Sequence, residues 1–495
     1  MPYLCRVKSG KIAYGRALLG LLCTALLCLA GGLIWHFYFL LPHSDSFFRI
    51  RHHGFAHLEM HTDRYGYLRS ESVGVALSVA PAQPVRLRMF NAIDQATLWQ
   101  DTLRGEFQPL PEQVSVKGTG WRYECVQPWS DRTPSGWYVL EAQAGGFTRR
   151  TSLFLQPAPG AVQPRVALLL STHTWNAYNY WGGQSIYTHQ NYTPTVSFER
   201  PQLLADPFLA NSYPHHQLYY QAANKDRYLA QLLDSAGLGY DVYSMMALER
   251  DDPRLADYDV LIMATHSEYW SERMLRHLNR RLDAGASLLC LAGNVAAYRT
   301  TFDPDARQMT IYREVEELWQ TADTANLRPF GQQAAFLGFH TYAPYQVRDS
   351  SWLLAGTGLQ PGDLLGEVSD TYDYTYMYSS WAENLLGLLK RGQRGAAAGL
   401  EVDRPYAGTP TNWVTVAQGL NPAVEGHGEV YPDPTLDWDG AAGPDLGYYW
   451  HPGGGLVLSV GSMAFTGALP YDPHLRQVVL NALQRALSVA DASTK

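Results

Sequence analysis

Cysteine is scarce in this chain. There are five in 495 residues, and Cys5, Cys23 and Cys28 fall at the very start. Cys125 and Cys290 remain, too far apart in sequence to read as a disulfide framework, and no cysteine-based zinc spacing is present. The count neither requires nor excludes an oxidising compartment. Charge is also sparse, at 17% of residues, and the formal net charge is −8 with no Lys/Arg block beyond the N-terminus. That balance excludes nucleic acid as a main partner. No internal repeat is evident, which excludes a solenoid or propeller. What remains is a chain rich in Tyr, Trp and Gly, with the apolar content of a globular protein and the length of two or three domains.

Residues 17–41 contain no Asp, Glu, Lys or Arg. About 20 apolar residues span a bilayer core. Arg6, Lys8, Lys11 and Arg16 precede the stretch, against Arg49 and Arg51 after it. The asymmetry predicts a cytoplasmic segment at 1–16, a single transmembrane anchor at 17–41 and an extracytoplasmic bulk at the cell membrane. A cleaved signal peptide is the rival reading. It has a shorter apolar region, about 7–15 residues, and a small-residue cleavage site, of which there is no convincing example here.

Residues 55–157 alternate in the manner of strands, as in Val73–Val79, Val85–Phe90, Gly136–Ala142 and Thr151–Leu155. Turn signals separate them, and an immunoglobulin-like β-sandwich is expected. Pro157-Ala158-Pro159-Gly160 reads as a linker. From about residue 163 to the end the pattern becomes βαβ. Continuous apolar runs at Val166–Leu170, Val260–Met263 and Ser287–Leu291 read as strands buried on both faces. Helical periodicity covers 223–236, 271–284 and the final stretch from Pro473. The expectation is an α/β domain with a doubly wound parallel sheet, to which Ala396–Val402 and Leu456–Val460 contribute late strands. Residues 305–390 read as an insertion.

The chemistry concentrates after the strands. Ala264-Thr265-His266-Ser267-Glu268-Tyr269-Trp270 follows an apolar run. Residues i and i+2 of a strand point to one side, so His266 and Glu268 project together if the extended conformation persists past Ala264. The pair reads as half of a metal site, as an acid/base pair, or as a plain hydrogen-bonded pair. A second dense segment, Thr174 to Tyr187, follows the first strand of the same sheet. Loops at strand carboxyl ends converge, so the two segments are expected to meet. Gly182-Gly183 permits a sharp turn, and Tyr178, Tyr180 and Tyr187 lie around it. A Tyr phenolate beside His and Glu suits a hard metal such as Fe³⁺. Three protein ligands leave a position for water, as hydrolysis requires.

Other signals are weaker. Cys290 lies inside an apolar strand and reads as core, which leaves the Ala292-Gly293-Asn294 turn without a thiol nucleophile. Glu401, near the end of a late strand, is a candidate general base or a surface carboxylate. Thr371–Tyr378 reads as a pocket rim, an edge strand or a loop, and His215-His216 as structural or exposed.

The motifs resemble those of the N,N-dimethylformamidase large (beta) subunit-like family, C-terminal domain. They are Thr174-Trp175-Asn176-Ala177-Tyr178-Asn179, Trp181-Gly182-Gly183-Gln184-Ser185-Ile186-Tyr187, Val196–Pro201, His266–Ser271, Ala292–Asn294, Gly399–Asp403 and Gly461-Ser462. The resemblance implies a class I glutamine amidotransferase-like fold after a β-sandwich. It implies a mononuclear iron amidohydrolase whose metal is held by Tyr187, His266 and Glu268, with zinc as the alternative ion. It places Tyr178, Asn294 and Glu401 beside the metal as catalytic groups.

The expected function is therefore a membrane-anchored, metal-dependent hydrolase of a C–N amide bond. Its substrate would be a small amide or an envelope-derived compound, and a homo-oligomer is compatible with the sequence. In that reading Glu401 moves the proton while Tyr178 and Asn294 steady the oxyanion. The competing class is a non-catalytic envelope polymer or carbohydrate-binding protein with a relic pocket. An amidotransferase-like transferase is disfavoured by the missing elbow cysteine.

Overall fold

The structure is a computed structural model. It describes residues 23–31, 56–158, 160, 164–186, 194–209, 223–312, 328–370, 395–421 and 443–493. Where the β-sandwich is expected, eight strands form. They are β1 (His57–Thr62), β2 (Gly66–Tyr67), β3 (Val73–Ala80), β4 (Gln83–Asn91), β5 (Thr97–Gly105), β6 (Tyr123–Val126), β7 (Gly136–Ala144) and β8 (Phe147–Leu155). One sheet has the order β1-β3-β6 and the other β2-β8-β7-β4-β5. Their alternating apolar positions, among them Val75, Leu77, Leu87, Met89, Leu140 and Leu153, share one core.

The largest sheet has nine strands. Its first members are β9 (Val166–Leu170), β11 (Asp241–Ser244), β12 (Val260–His266) and β14 (Ser287–Gly293), set among the short strands β10 (Thr195–Ser197) and β13 (Tyr269–Trp270). Further along the chain come β15 (Tyr298–Phe302), β16 (Gln308–Tyr312), β17 (Gln333–Ala343), β18 (Tyr345–Val347), β19 (Leu364–Leu365) and β20 (Ala398–Arg404), of which β18 and β19 join the large sheet. The last are β21 (Val414–Gly419), β22 (Asp445–Trp450) and β23 (Leu456–Ser459). The order in the large sheet is β11-β9-β12-β14-β23-β22-β21-β18-β19.

The expectation of an α/β fold built on a doubly wound parallel sheet is corrected here. The first five strands in that order pair in parallel, but β22, β21, β18 and β19 extend the sheet antiparallel. The sheet is mixed and the chain is mostly β. The antiparallel strands interrupt their apolar residues with Gly447, Gln418 and Gln346, so they lack the unbroken apolar runs of the parallel half. Ala398–Arg404 does not join the large sheet. It pairs antiparallel with β17 in a separate two-stranded sheet.

Helices cover both faces of the parallel half. The Ala223–Ser235 and Pro473–Ser493 helices pack on one side with Val166, Leu168, Ile262 and Leu289. The Glu272–Asp283 helix packs on the other with Leu169, Leu261 and Met263. Its construction follows from sequence. The Ser271 hydroxyl accepts from the Met274 amide at 3.1 Å, and Glu272 opens the first turn while Arg280 and Arg281 close the last. Met274, Leu275, Leu278 and Leu282 form the buried stripe, each worth roughly 1.5–3 kcal/mol of burial. Gly285, at φ 98°, turns the chain out of the helix.

The anchor expected at 17–41 is corrected as well. Residues 23–31 are helical, and the remainder of that stretch and all of 1–16 lie outside the described residues. Among the described residues no helix is long and apolar enough to cross a membrane. The lack of charge at 17–41 is a hydropathy signal that no described helix supports as a span. Thr371–Tyr378 and His215-His216 also lie outside the described residues.

Candidate functional site

The site forms at the carboxyl ends of β12 and β14, where β20 crosses them. His266 is the last residue of β12, Asn294 follows β14 directly, and Glu401 lies within β20. His266, Glu268 and Glu401 are all buried. His266 Nε2 lies 2.9 Å from Glu401 Oε2 and 3.3 Å from Glu268 Oε2. One ligating atom from each residue falls within 4.8 Å of the others. Despite these distances, neither ring nitrogen of His266 makes an aligned hydrogen bond among the described residues.

Two of the other expected residues fall into place beside them. Tyr178, at the end of the Thr172–Tyr178 helix, donates its hydroxyl to Glu268 Oε2 at 2.7 Å. Asn294 Nδ2 donates to Glu401 Oε2 at 2.6 Å. The five residues Tyr178, His266, Glu268, Asn294 and Glu401 therefore meet, although they come from four separate segments. In this geometry the donors of Tyr178 and Asn294 are directed at the two carboxylates. Tyr187 lies outside the described residues.

The backbone reaches this arrangement by a kink and not by simple extension. Thr265 sits at φ 60°, the left-handed region, which a β-branched residue seldom adopts. Asn294 and Leu400, beside β14 and Glu401, also have positive φ, at 53° and 74°. Asn tolerates this region, so the backbone strain, about 1–3 kcal/mol each, concentrates at Thr265 and Leu400. The Thr265 hydroxyl donates to Asp226 Oδ1 at 2.7 Å and lies 2.9 Å from the Thr466 hydroxyl. Downstream, Ala296 N donates to the Ser267 carbonyl at 2.9 Å and Tyr298 N to the Glu268 carbonyl at 3.1 Å. These bonds hold His266 and Glu268 at the strand end.

The aromatic segment is stapled from behind. Gly182 and Gly183 take φ 93° and 86°, the sharp turn expected there, and a Cβ on Gly182 would lie 2.9 Å from Val114 Cγ1. The buried Arg200 guanidinium donates to the carbonyls of Trp181 at 2.9 Å, Gln184 at 3.0 Å and Asn176 at 2.9 Å. Burial pulls its pKa down to about 9.

Electrostatics set the cluster apart. Burial disfavours the His266 imidazolium, but Glu401, Glu268 and Asp403 outweigh it and hold the pKa above the usual value. Burial raises the Glu268 carboxyl, with His266 opposing and Glu401 adding to the rise. Burial pushes Asp403 up to about 7 against the pull of Arg328. Two adjacent buried carboxylates with an imidazole between them are stabilised by a cation or by shared protons. A nitrogen and two hard oxygens suit a hard or borderline metal ion.

Sequence reasoning missed several contributors. Asp226 lies on the buried face of the Ala223–Ser235 helix with Leu229, Ala230 and Leu233, so a carboxylate on an apolar stripe was its available signal. Burial raises its pKa to about 7. Asp403 is two residues from Glu401 in β20 and accepts the Val295 amide at 3.2 Å. His173 is fully buried. Burial takes its pKa down to about 3, with the Tyr269 backbone opposing and His266 lowering it further. Cys290 is buried in β14, and burial drives its thiol pKa up, away from nucleophilic use.

No curated protein is significantly similar to the chain. A family model does match it, across residues 93–477, which span the large sheet, the site and part of the preceding strands. The chain belongs to the N,N-dimethylformamidase beta subunit-like, C-terminal family.

Proposed function

We propose that this protein is a metal-dependent hydrolase of a small amide, with the centre at the carboxyl ends of β12 and β14. The observation that carries this reading is the buried set of His266, Glu268 and Glu401, with ligating atoms within 4.8 Å. Family membership supports dimethylformamidase-like amide hydrolysis at a general level. His266 Nε2 and a Glu268 oxygen would hold the ion, with Tyr187 as the proposed third ligand. Iron is the preferred metal and zinc the alternative. When bound, such an ion supplies Lewis-acid polarisation and lowers the pKa of water.

The remaining groups belong to the chain itself. Glu401 is proposed to take the proton of the attacking water and deliver it to the leaving nitrogen, so that amide and water become carboxylic acid and amine. Asn294 fixes Glu401 by its 2.6 Å bond, and Tyr178 fixes Glu268 by its 2.7 Å bond. Both then act by positioning the carboxylates, a role the bonds support better than oxyanion contact. The apolar walls around β12 and β14 exclude bulk water and strengthen each charge interaction.

Elemental analysis of the purified full chain tests the proposal. Stoichiometric iron or zinc is expected in the wild type, with loss in His266→Ala and Glu268→Gln. Glu401→Gln is expected to retain the metal but lose hydrolysis in a screen of small amides. A metal-free wild type, or full metal content in His266→Ala, would sink the reading.

A further inference from the structure

A cavity of about 240 Å³ lies away from the acidic cluster, between the β1–β2 region and the carboxyl end of β11. Its walls include Asp63, Arg64, Tyr65 and Glu71 on one side, and Arg250, Asp252 and Arg254 on the other. The charged groups are nearly balanced in number, so the decisive question is which of them are already engaged.

The acceptors are engaged. Asp63 Oδ1 accepts from the Tyr67 hydroxyl at 2.7 Å and the Gly74 amide at 2.8 Å. Glu71 takes the Leu68 amide at 2.7 Å and pairs with Arg64 at 3.1 Å. Asp252 takes the Arg254 amide at 3.0 Å and its Nε at 2.9 Å. Gln156 Oε1 takes Arg254 Nη2 at 2.7 Å.

The donors are not. Arg254 Nη1 and the Tyr65 hydroxyl are buried atoms with no hydrogen-bond partner among the described residues. Tyr65 keeps its proton, because burial pushes the phenol pKa up with only Arg200 opposing. No side-chain hydrogen bond or close ion pair holds the Arg250 guanidinium among the described residues; burial and Arg64 lower its pKa, with Asp252 and Glu249 opposing from a distance. Buried polar groups are normally satisfied, and a surplus of donors around one cavity calls for an acceptor-rich occupant.

We propose that this cavity is a second ligand site, which binds a small oxyanion through Arg250, Arg254 and Tyr65. Guanidinium groups bind carboxylate and phosphate oxygens by charge-assisted, often bidentate, hydrogen bonds. A cavity of about 240 Å³ is at the small end of ligand pockets, which suits a small carboxylate or a phosphate and not a polymer. The site stands independently of the amide hydrolysis proposed above. It lies at the seam between sheets, where ligand sites are common.

Isothermal titration of the full-length protein with acetate and, separately, inorganic phosphate tests the site, with chloride at matched ionic strength as the control. Saturable binding of at least one oxyanion and none of chloride is expected. Acetate alone would identify a carboxylate site, phosphate alone a phosphate site, and both a general oxyanion site. Arg250→Gln should weaken binding at least tenfold, and Tyr65→Phe several-fold, with folding checked by circular dichroism. Absence of saturable binding by the wild type would overturn the proposal. So would unchanged affinity in both variants, or loss of binding in Glu401→Gln, which would place the anion at the acidic cluster.

Discussion

Thr265 donates its hydroxyl to Asp226 Oδ1 at 2.7 Å while its own backbone sits at φ 60°. One hydrogen bond between a helix and a strand end thus accompanies the kink that aims His266. Replacing Thr265 with Val keeps the branched shape and removes the donor, leaving Asp226 buried without it. The expected loss is about 1–3 kcal/mol, read as a lower urea midpoint at unchanged slope. Metal content should fall with it, because the next residue is a proposed ligand. Wild-type stability in Thr265→Val would show that other contacts hold the kink.

Asp226 also predicts a pH dependence. Burial raises its folded pKa to about 7 from a model-compound value of 3.8. A raised carboxyl binds its proton more tightly in the folded chain, so stability falls as pH rises between about 4 and 7 and levels above that window. Asp403 adds the same sign over the same window, with its pKa also at about 7. Asp226→Asn keeps an acceptor for Thr265 and removes one titration. Its stability profile from pH 4 to 8 should be flatter than the wild type, with a residual slope from Asp403. Superimposable profiles would refute this assignment.

Gly293 marks the closest approach behind the site. A Cβ there would lie 2.4 Å from the Glu401 carbonyl oxygen, 2.5 Å from Met463 N and 2.7 Å from the Ser462 carbonyl carbon. All three are backbone atoms, so β20 and the 461–463 turn must shift. Overpacking of this kind costs about 1–3 kcal/mol. Gly293→Ala should melt at a lower temperature and hydrolyse more slowly, since Glu401 moves with its strand. An unchanged melting temperature would count against the tight crossing.

Asn294 separates positioning from binding. Its φ of 53° suits Gly as well as Asn, so Asn294→Gly should fold while losing the bond to Glu401. Removal of a group that orients a neighbouring carboxylate typically costs about 10–100-fold. The loss is expected in kcat, with KM and metal content close to wild type. A change confined to KM would instead place Asn294 against the substrate.

Much of the site was legible because strand carboxyl ends converge. The apolar runs of β9, β12 and β14 announced buried parallel strands, and the residues that follow them supplied His266, Glu268, Tyr178 and Asn294. Glu401 was legible as a carboxylate in a late strand, but its strand was assigned to the wrong sheet. The antiparallel half of the sheet was hidden, because Gly447 and Gln418 break the patterns of β22 and β21. The helix stripe of Leu229, Ala230 and Leu233 was visible, whereas the purpose of Asp226 within it was not.

The amino-acid sequence by itself determined the local elements and the residue types available for chemistry. Apolar periodicity, the Ser271 cap and the Gly182-Gly183 turn act over a few residues, so each can be read without knowing the partner. Tertiary structure decided which side chains meet. The 2.9 Å approach of Glu401 to His266 joins residues 135 positions apart, through a strand crossing allowed by Gly293 and a kink held by Asp226. Those contacts depend on long-range packing and on where buried charge can be compensated, and no local pattern encodes either.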